Sequence, residues 1–155
     1  MRNEFMRRVI ELSIENVNTL RGGPFGALIV RGGAILAEGT NLVTSSLDPT
    51  AHAEIIAIRS ACKVLQTFQL SGCEIYCSCE PCPMCLGAIY WARPDRVYYA
   101  GTREDAAAAG FDDALIYAEL AMPQAARRIP MLGIMRSEAQ AAFDAWRDLA
   151  GRTAY

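Results

Sequence analysis

The sequence predicts an α/β domain in which helices flank a five-stranded mixed sheet. Short apolar segments of strand length alternate along the chain with longer segments in which apolar residues recur at helical spacing. The chain has 155 residues, 52% of them hydrophobic and 21% charged, which is enough for one sizeable core and is ordinary for a globular protein. No internal repeat or low-complexity linker interrupts it, so residues 1–155 are expected to fold as a single domain.

The chain is expected to begin with an amphipathic helix and a β-hairpin. Apolar side chains recur at helical spacing over residues 3–20. A Gly-Gly-Pro sequence then ends the helix. Two apolar segments, 26–30 and 34–37, flank a Gly-Gly turn, and this arrangement is typical of a hairpin.

Helices and strands are expected to alternate through the rest of the chain. Thr50 is predicted to be the N-cap of a helix that reaches about Leu65, because apolar residues at helical spacing follow it. Pro83 suits the first turn of another helix. The other predicted elements are, in order, a strand at 73–77, the helix continuing to Ala92, a strand at 96–100, helical segments over 103–121 broken at 110–113, a fifth strand near 131–135 and a last helix over 137–150.

Charge and hydropathy narrow the class of protein. Lys plus Arg is 15 and Asp plus Glu is 17, a net charge of −2, whereas proteins that hold a polynucleotide usually carry a basic excess. This balance favours a small, uncharged substrate over tRNA or DNA. No apolar run approaches the ~20 residues of a membrane span, and the charged N-terminus is unlike a signal peptide. We expect a cytoplasmic protein whose six cysteines are reduced.

Two short motifs carry the chemistry. Thr-Ala-His-Ala-Glu contains His52 and Glu54, and Glu-Pro-Cys-Pro-Met-Cys contains Cys82 and Cys85. One imidazole and two thiolates suit tetrahedral zinc, and three protein ligands leave the fourth position for the water of a catalytic site. Histidine-x-glutamate followed by proline-cysteine-x-x-cysteine is the pattern of zinc-dependent nucleobase deaminases. The sequence therefore predicts one Zn²⁺ per subunit on His52, Cys82 and Cys85.

Glu54 is predicted to carry protons in this site. Both ligand clusters fall at predicted helix starts, where unpaired backbone N–H groups favour the thiolate forms of Cys82 and Cys85. Zinc can lower the pKa of its bound water from ~15.7 to about 7. Glu54 can take the proton of that water, pass it to a ring nitrogen and help to protonate the leaving amine. Attack by the hydroxide on an amino-bearing ring carbon, with loss of ammonia, is hydrolytic deamination.

Plainer interpretations of the same residues stay open from the sequence. His52 could be a structural histidine, and the Cys-x-x-Cys pair could be a redox pair or half of a structural zinc site. A closed site would take a fourth thiol from Cys73, Cys77 or Cys79. That arrangement would leave Glu54 without a role. Cys73 and Cys77 are predicted to pack in the core, and the role of Cys79 is left open.

At these motifs the chain resembles the cytidine-deaminase-like superfamily and, within it, the bacterial guanine deaminases. The metal motif identifies only the superfamily, whereas the Ile-Tyr-Trp-Ala-Arg and Gly-Phe-Asp-Asp segments favour the narrower group. The likeness extends over nearly the whole chain and is carried by residues 22–27, 48–54, 79–94 and 109–113, and by an ending with Phe143, Trp146 and Tyr155.

The resemblance implies a three-layer α-β-α cytidine deaminase-like fold and roles for residues outside the metal motif. Asp113 would join Glu54 as a catalytic proton carrier and would serve the departing amine. Five residues would contact the base, namely Asn41, Phe25, Ala53, Trp91 and Tyr155. Asn41 would hydrogen-bond the base and Phe25 would form part of its wall. From the residues alone, Asn41 could merely end a strand, Phe25 could pack in the core and Asp113 could cap a helix.

The resemblance further implies a homodimer that converts guanine and water into xanthine and ammonia, by attack at C2. The subunits would exchange residues 137–155, so that Tyr155 would cap the partner's pocket. The partner molecule would be a purine base, with no membrane and no nucleic acid involved. The alternatives are a tRNA adenosine deaminase, a deaminase of another small heterocycle such as guanosine or a triazine, and a non-enzymatic structural zinc or redox module.

Overall fold

A mixed sheet of four strands forms the centre of residues 1–113. The computed structural model describes residues 1–154, which group into two compact units that divide after Asp113. The strands are β1 (Gly26–Arg31), β2 (Ala34–Thr40), β3 (Cys73–Cys79) and β4 (Arg96–Gly101). Their spatial order is β2-β1-β3-β4; β1 is antiparallel to both neighbours, and β3 and β4 are parallel.

Helices cover both faces of this sheet, which confirms the predicted three-layer α-β-α class. α1 (Arg2–Asn18) packs on one face, and α3 (Ala53–Leu65) and α4 (Pro83–Ala92) pack on the other. Because successive strand residues point to opposite faces, Ala27 and Ile29 join the cluster under α3 and α4, whereas Leu28 and Val30 join the cluster under α1.

The buried face of α1 combines apolar and polar residues. Its buried members are Val9, Leu12, Ser13 and Asn16, spaced as one face of a helix. Ile14, one of the apolar residues at helical spacing in the predicted helix over residues 3–20, is 55% exposed. The helix was therefore predicted correctly, but its inner face contains an amide and a hydroxyl that hydropathy alone assigns to solvent.

α3 lies directly against β2 because both have small residues at the contact. A Cβ on Gly39 would lie 2.2 Å from the Ala53 carbonyl oxygen and 2.6 Å from the Ala57 nitrogen. Ala57 and Ala61 on the facing side of α3 are fully buried. This close approach fixes the start of α3, and with it His52, at the end of the sheet where β2 finishes.

The helix starts differ from the prediction at one of two places. Thr50 is not an N-cap: its N–H and hydroxyl bond the Asp48 carboxylate at 2.8 and 2.7 Å, within a turn, and His52 is the N-cap of α3. Cys82 is the N-cap of α4 and Pro83 its first residue, as predicted. The structure adds a short helix α2 (Val43–Ser46), which the polar composition of this segment does not signal.

The segment between the end of the sheet and the second unit follows the predicted pattern. α5 (Arg103–Ala108) is followed by a break at Gly110 and by α6 (Ala114–Leu120), with which the second unit begins. Thr102 caps α5 in a capping box with Asp105.

The second unit is helical, and the predicted fifth strand near 131–135 is wrong. Besides α6 it contains a 3-10 turn, Gln124–Ala126, and α7 (Arg136–Asp148). Residues 131–135 form neither helix nor strand; Leu132 and Ile134 are about four-fifths exposed, at 79% and 81%. A strand needs a neighbour with which to exchange hydrogen bonds, and the described part of this unit has only helices. The prediction of one domain over 1–155 stays a prediction.

None of the helices within residues 1–154 combines the length and apolar character that crossing a bilayer requires.

Candidate active site

The fold brings the two sequence motifs together at one end of the sheet. His52 precedes the first turn of α3, Cys82 precedes the first turn of α4, and Cys85 lies within that turn. The Cys82 and Cys85 sulfurs each lie 3.5 Å from Nδ1 of His52. The three ligand atoms all lie within 4.8 Å of one another, and Cys85 is buried while the other two residues are partly exposed.

These distances fit tetrahedral zinc. Zn–N bonds of about 2.0–2.1 Å and Zn–S bonds of about 2.3 Å, held at the tetrahedral angle, place nitrogen and sulfur about 3.6 Å apart. The two observed N···S distances are both 3.5 Å. The donor set and its spacing therefore fit the metal predicted from the sequence, and Nδ1 is the ring nitrogen that faces it.

A closed site with a fourth thiolate is not what the fold builds. Within residues 1–154 the ligand group consists of His52, Cys82 and Cys85. Cys73 and Cys77 are buried in the apolar cluster under α3 and α4, as predicted. The Cys79 sulfur lies 3.3 Å from the carbonyl oxygen of Thr102, to which it donates. The structure thus disfavours the structural-zinc interpretation.

The two cysteines differ in acidity because they share a hydrogen bond. The Cys85 thiol donates to the Cys82 sulfur, and this bond is the main reason that the pKa of Cys82 is lowered to about 4. The same bond, together with burial, raises the pKa of Cys85. The bond to Cys82 also raises the pKa of His52. Cys82 is therefore the thiol that ionises first, as a metal ligand at a helix start requires.

Glu54 lies beside this group without belonging to it. It occupies the first turn of α3 and is 8% exposed. Burial raises the pKa of Glu54, and the negative charge of Cys82 adds to this effect. A buried carboxyl group beside the ligand group is placed to exchange protons there.

Asn41 lies immediately after β2 and is 6% exposed. Its Oδ1 accepts hydrogen bonds from the backbone N–H groups of Gly23 and Val43, at 3.3 and 3.2 Å. These two donors define which end of the amide is oxygen. The Nδ2 amino group is then the part of the side chain that can donate to a ligand.

Phe25 stands immediately before β1 and packs on an aromatic partner. Its ring meets that of Phe111 edge to face, with centroids 4.9 Å apart and an interplanar angle of 86°. The backbone before Phe25 touches Asn41 directly, since a Cβ on Gly22 would lie 2.1 Å from the Asn41 carbonyl oxygen. Phe25 and Asn41 therefore belong to one packed arrangement at the ends of β1 and β2.

Asp113, at the end of the first unit, is partly buried. Burial is the main cause that raises its pKa, and the charge of Cys82 raises it further. The role of Asp113 as a proton carrier stays a prediction.

The other three predicted base contacts are Ala53, Trp91 and Tyr155. Ala53 is fully buried between His52 and Glu54. Trp91 is 65% exposed on α4, nine residues or roughly 13 Å of helix beyond Cys82, so it is not gathered with the ligand group. Tyr155 lies outside the described residues. The roles of all three in base binding stay predictions.

Two residues near the site were missed from the sequence. Asn16 on α1 donates hydrogen bonds to the backbone carbonyls of Gly23 and Asn41, and Phe111 is the ring against which Phe25 packs. A signal for Asn16 existed, because it is seven residues beyond Val9 on the same helical face.

A second surface hollow, of about 380 Å³, lies at the opposite end of the sheet beside the β1–β2 turn. Its carboxylates are already paired: Asp95 accepts from the Gly72 N–H group at 2.9 Å, and Glu74 accepts from the Tyr76 hydroxyl at 2.9 Å. The chemistry is therefore assigned to the end of the sheet that contains the ligand group.

Fold, ligand group and buried carboxyl together define a zinc-dependent deaminase. The family model for the cytidine and deoxycytidylate deaminase zinc-binding region matches residues 1–101, and the chain belongs to this family.

Within the family, one strong similarity covers nearly the whole chain. The guanine deaminase of Bacillus subtilis (strain 168) is 56% identical over 151 residues, which is 97% of each chain. An X-ray structure of guanine deaminase from Bacillus subtilis matches with a TM-score of 0.97 and covers 99% of this chain and 98% of that one.

Other similarities are partial. A guanine deaminase structure from Nitrosomonas europaea is 37% identical with a TM-score of 0.67, covering 70% of this chain and 63% of that one. The tRNA-specific adenosine deaminase of Aquifex aeolicus is 46% identical over 77 residues, which is 50% of this chain and 51% of its own.

Proposed function

We propose that this deaminase acts on guanine and converts it with water into xanthine and ammonia. The observation that carries the proposal is the extent and strength of the likeness: 97% of the chain matches a guanine deaminase at 56% identity, whereas tRNA-specific adenosine deaminases match 50% of the chain at 46% identity or 73% of it at 38% identity.

His52, Cys82 and Cys85 would hold the zinc. Bound there, it would act as a Lewis acid that lowers the pKa of water to about 7. The Glu54 carboxylate takes the proton that the attacking water loses and delivers it to the ring nitrogen next to C2. It then helps to protonate the amino group that leaves as ammonia. Asp113 accepts and returns protons at the departing amine.

Asn41 and its neighbours select the base. Because Oδ1 of Asn41 is occupied by two backbone N–H groups, Nδ2 donates to the C6 carbonyl of guanine. An adenine ring presents an amino group there, and two facing donors would be left unpaired. The ring of Phe25, supported by Phe111, forms one wall. The backbone N–H of Ala53, in the unpaired first turn of α3, is a second donor to the base.

Substrate assays with a matched pair of variants test this function. Ammonia release is measured with guanine, guanosine, adenine, cytosine and an adenosine-bearing RNA loop. Glu54→Gln is expected to lower kcat on guanine by about 10²–10⁴-fold, the usual worth of a positioned proton carrier, with zinc content kept. Glu80→Gln is the control, because its carboxylate accepts from the Arg103 N–H group instead, and it is expected to keep parental turnover.

Each other result has a definite meaning. Release from the RNA alone would replace guanine by tRNA adenosine as the substrate while keeping the zinc chemistry. Release from another heterocycle alone would change the substrate and keep the reaction. Parental turnover in Glu54→Gln would remove the proposed proton carrier.

We also propose a homodimer in the cytoplasm whose subunits exchange residues 137–155. The dimer is supported by the likeness to guanine deaminases, and the reducing compartment by a ligand group that needs thiolates. Co-expression of Glu54→Gln with Tyr155→Ala tests the exchange: random pairing produces mixed dimers in which one site has both Glu54 and the partner's Tyr155. Half of the dimers are mixed and one of their two sites is complete, so recovery of about a quarter of parental activity is expected. Co-expressed protein that stays inactive would contradict the exchange.

A further inference from the structure

Asn16 is a buried amide at the end of α1. It is 0% exposed and shares its helix face with Val9 and Leu12 of the apolar cluster. Its Nδ2 donates to the carbonyl oxygens of Gly23 at 2.9 Å and Asn41 at 2.8 Å. Its Oδ1 is buried and has no hydrogen-bond partner in the described part of the chain. An unpaired buried acceptor costs free energy. The stabilising contribution of the Asn16 side chain therefore comes from its two N–H donors, both of which are hydrogen-bonded.

The two carbonyl groups belong to two segments that are joined by several hydrogen bonds. The first segment, 22–25, leads from α1 into β1, and the second follows β2 at Asn41. The Gly23 N–H donates to Asn41 Oδ1 at 3.3 Å, and the Asn41 N–H donates to the Phe25 carbonyl at 3.1 Å. Together with the two bonds from Asn16, these contacts form a closed network that joins α1, β1 and β2.

Two routes of hydrogen bonds connect Asn16 with the Asn41 side chain. Nδ2 of Asn16 donates to the Asn41 carbonyl oxygen, and it also donates to the Gly23 carbonyl oxygen. The Gly23 N–H in turn donates to Oδ1 of Asn41. The carbonyl of Gly23 also accepts from the Phe25 N–H at 2.8 Å, so the same amide constrains the aromatic wall. No atom of Asn16 needs to touch a ligand for this to occur.

We infer that Asn16 is a positioning residue for base recognition, which aims the amino group of Asn41 at the base through its two backbone hydrogen bonds. This inference rests on the proposed function in one respect, that Asn41 contacts the base. It adds that specificity depends on a residue buried behind the site, on the face of the sheet opposite to the metal ligands.

The test compares three variants of the full-length, zinc-loaded protein. Asn16→Asp keeps the shape of the side chain but turns an acceptor towards two carbonyls, and Asn16→Ser removes both donors without a charge. Ser13→Ala is the control: Ser13 is buried one turn earlier, and its hydroxyl donates only to Ile10 of its own helix, at 2.7 Å. For the Asn16 variants, KM for guanine is expected to rise about tenfold or more, with kcat within about threefold and zinc content unchanged. Ser13→Ala is expected to keep the parental KM.

A double-mutant cycle separates positioning from general stability. If Asn16 acts through Asn41, Asn16→Ser raises KM in the parent but has no further effect on KM in Asn41→Ala. A role limited to folding would lower the melting temperature equally in both backgrounds and would leave KM unchanged, which would overturn the inference. So would additive effects on KM, or failure of both Asn16 variants to yield folded, zinc-bearing protein. A parental protein that turns over no guanine would instead defeat the proposed function, and the same cycle would be run with the base that is turned over.

Discussion

At the scale of single residues, the backbone around Asn41 leaves no free space. Gly22 touches the Asn41 carbonyl where a Cβ would stand 2.1 Å away, far inside any van der Waals contact. Asn16 and Gly23 hold the same residue by hydrogen bonds. The direction of one side chain is thus set by three neighbours that contribute no chemistry of their own.

Replacing Gly22 by alanine is expected to damage both stability and base binding. The Cβ can be accommodated only if the Asn41 backbone moves, and overpacking of this kind costs about 1–3 kcal/mol. Urea unfolding and KM for guanine measure the two effects. Gly87→Ala is the control, because nothing lies within 4 Å of its Cβ position on α4. That variant is expected to gain roughly 0.5–1 kcal/mol from helix propensity, and equal losses in both variants would contradict the steric explanation.

Tyr76 gives the protein a stability limit at alkaline pH. It is 1% exposed and donates to the Glu74 carboxylate at 2.9 Å. Burial, followed by this hydrogen bond, raises the pKa of Tyr76 from 10.0 to about 12. The native structure thus favours the neutral phenol, so the stability it contributes is complete below pH 10 and is lost as the pH rises through about 12.

The free energy of unfolding is therefore expected to fall between pH 10 and 12 partly through this residue. Urea midpoints measured at pH 9 and pH 11 should differ less in Tyr76→Phe than in the parent. Tyr99→Phe, whose ring is 50% exposed, should keep the parental difference. If Tyr76→Phe showed the same pH dependence as the parent, Tyr76 would not be a cause of the alkaline loss of stability.

At the scale of elements, the contact between α3 and β2 positions the metal ligand His52. The helix approaches the strand so closely at Gly39 that the Ala53 carbonyl occupies the place of a side chain. His52 precedes this contact by one residue. The ligand geometry therefore depends on the distance between a helix and a sheet.

Gly39→Ala is expected to push α3 away from the sheet and to weaken zinc binding. The overpacking cost is about 1–3 kcal/mol, and a displaced His52 no longer matches the two sulfurs. Zinc competition with a chromophoric chelator and thermal unfolding report the two losses. Gly101→Ala, on β4, is the control because its Cβ would meet its nearest neighbour at an ordinary 3.5 Å. Tight zinc binding in a destabilised Gly39→Ala protein would show that the helix position does not matter.

Most elements follow from periodicity, and the exceptions have physical causes. The four strands of the sheet and the helices α1, α3, α4 and α7 were predicted because their apolar patterns match the period of the element. The start of α3 was misplaced because Asp48 competes for the polar groups of Thr50. The fifth strand was wrong because an apolar run does not reveal whether a pairing partner is available.

The site was predictable to different extents for similar reasons. The types and spacing of the three ligands are dictated by zinc, so local sequence was sufficient for them. The roles of Asn41 and Phe25 depend on residues far away in the chain, and only a family resemblance suggested them. Helical spacing marks Asn16 only as a residue of the inner face of α1; its role depends on two acceptors from separate loops that meet in the folded protein.

At the scale of the whole molecule, the ligand group joins two helices that also share one apolar cluster. One ligand comes from the start of α3 and two come from the start of α4. Bound zinc would therefore add a link between the starts of these helices. Its binding free energy adds to the stability of the fold.

Removal of zinc by a chelator is expected to lower the melting temperature by several degrees. Each kcal/mol is worth about 2–4 °C for a chain of this size. Calorimetry with and without dipicolinate measures the shift. Cys82→Ser is the matched variant, since it should start with a lower melting temperature and respond little to the chelator. An equal response in both proteins would mean that the chelator acts elsewhere.

The residues that would hold the metal and the candidates for base recognition form two groups that do not overlap. The metal and its proton carrier are held by the starts of α3 and α4, while the candidates for reading the base come from the ends of β1 and β2 and from the stretch that ends at Asp113. For protein engineering, this separation predicts that a combinatorial library at Phe25 and Asn41, with Gly22 and Gly23 kept, can explore new purine and pyrimidine analogues while metal loading stays intact. The candidates for reading the base can thus be redesigned apart from the residues that would hold the metal.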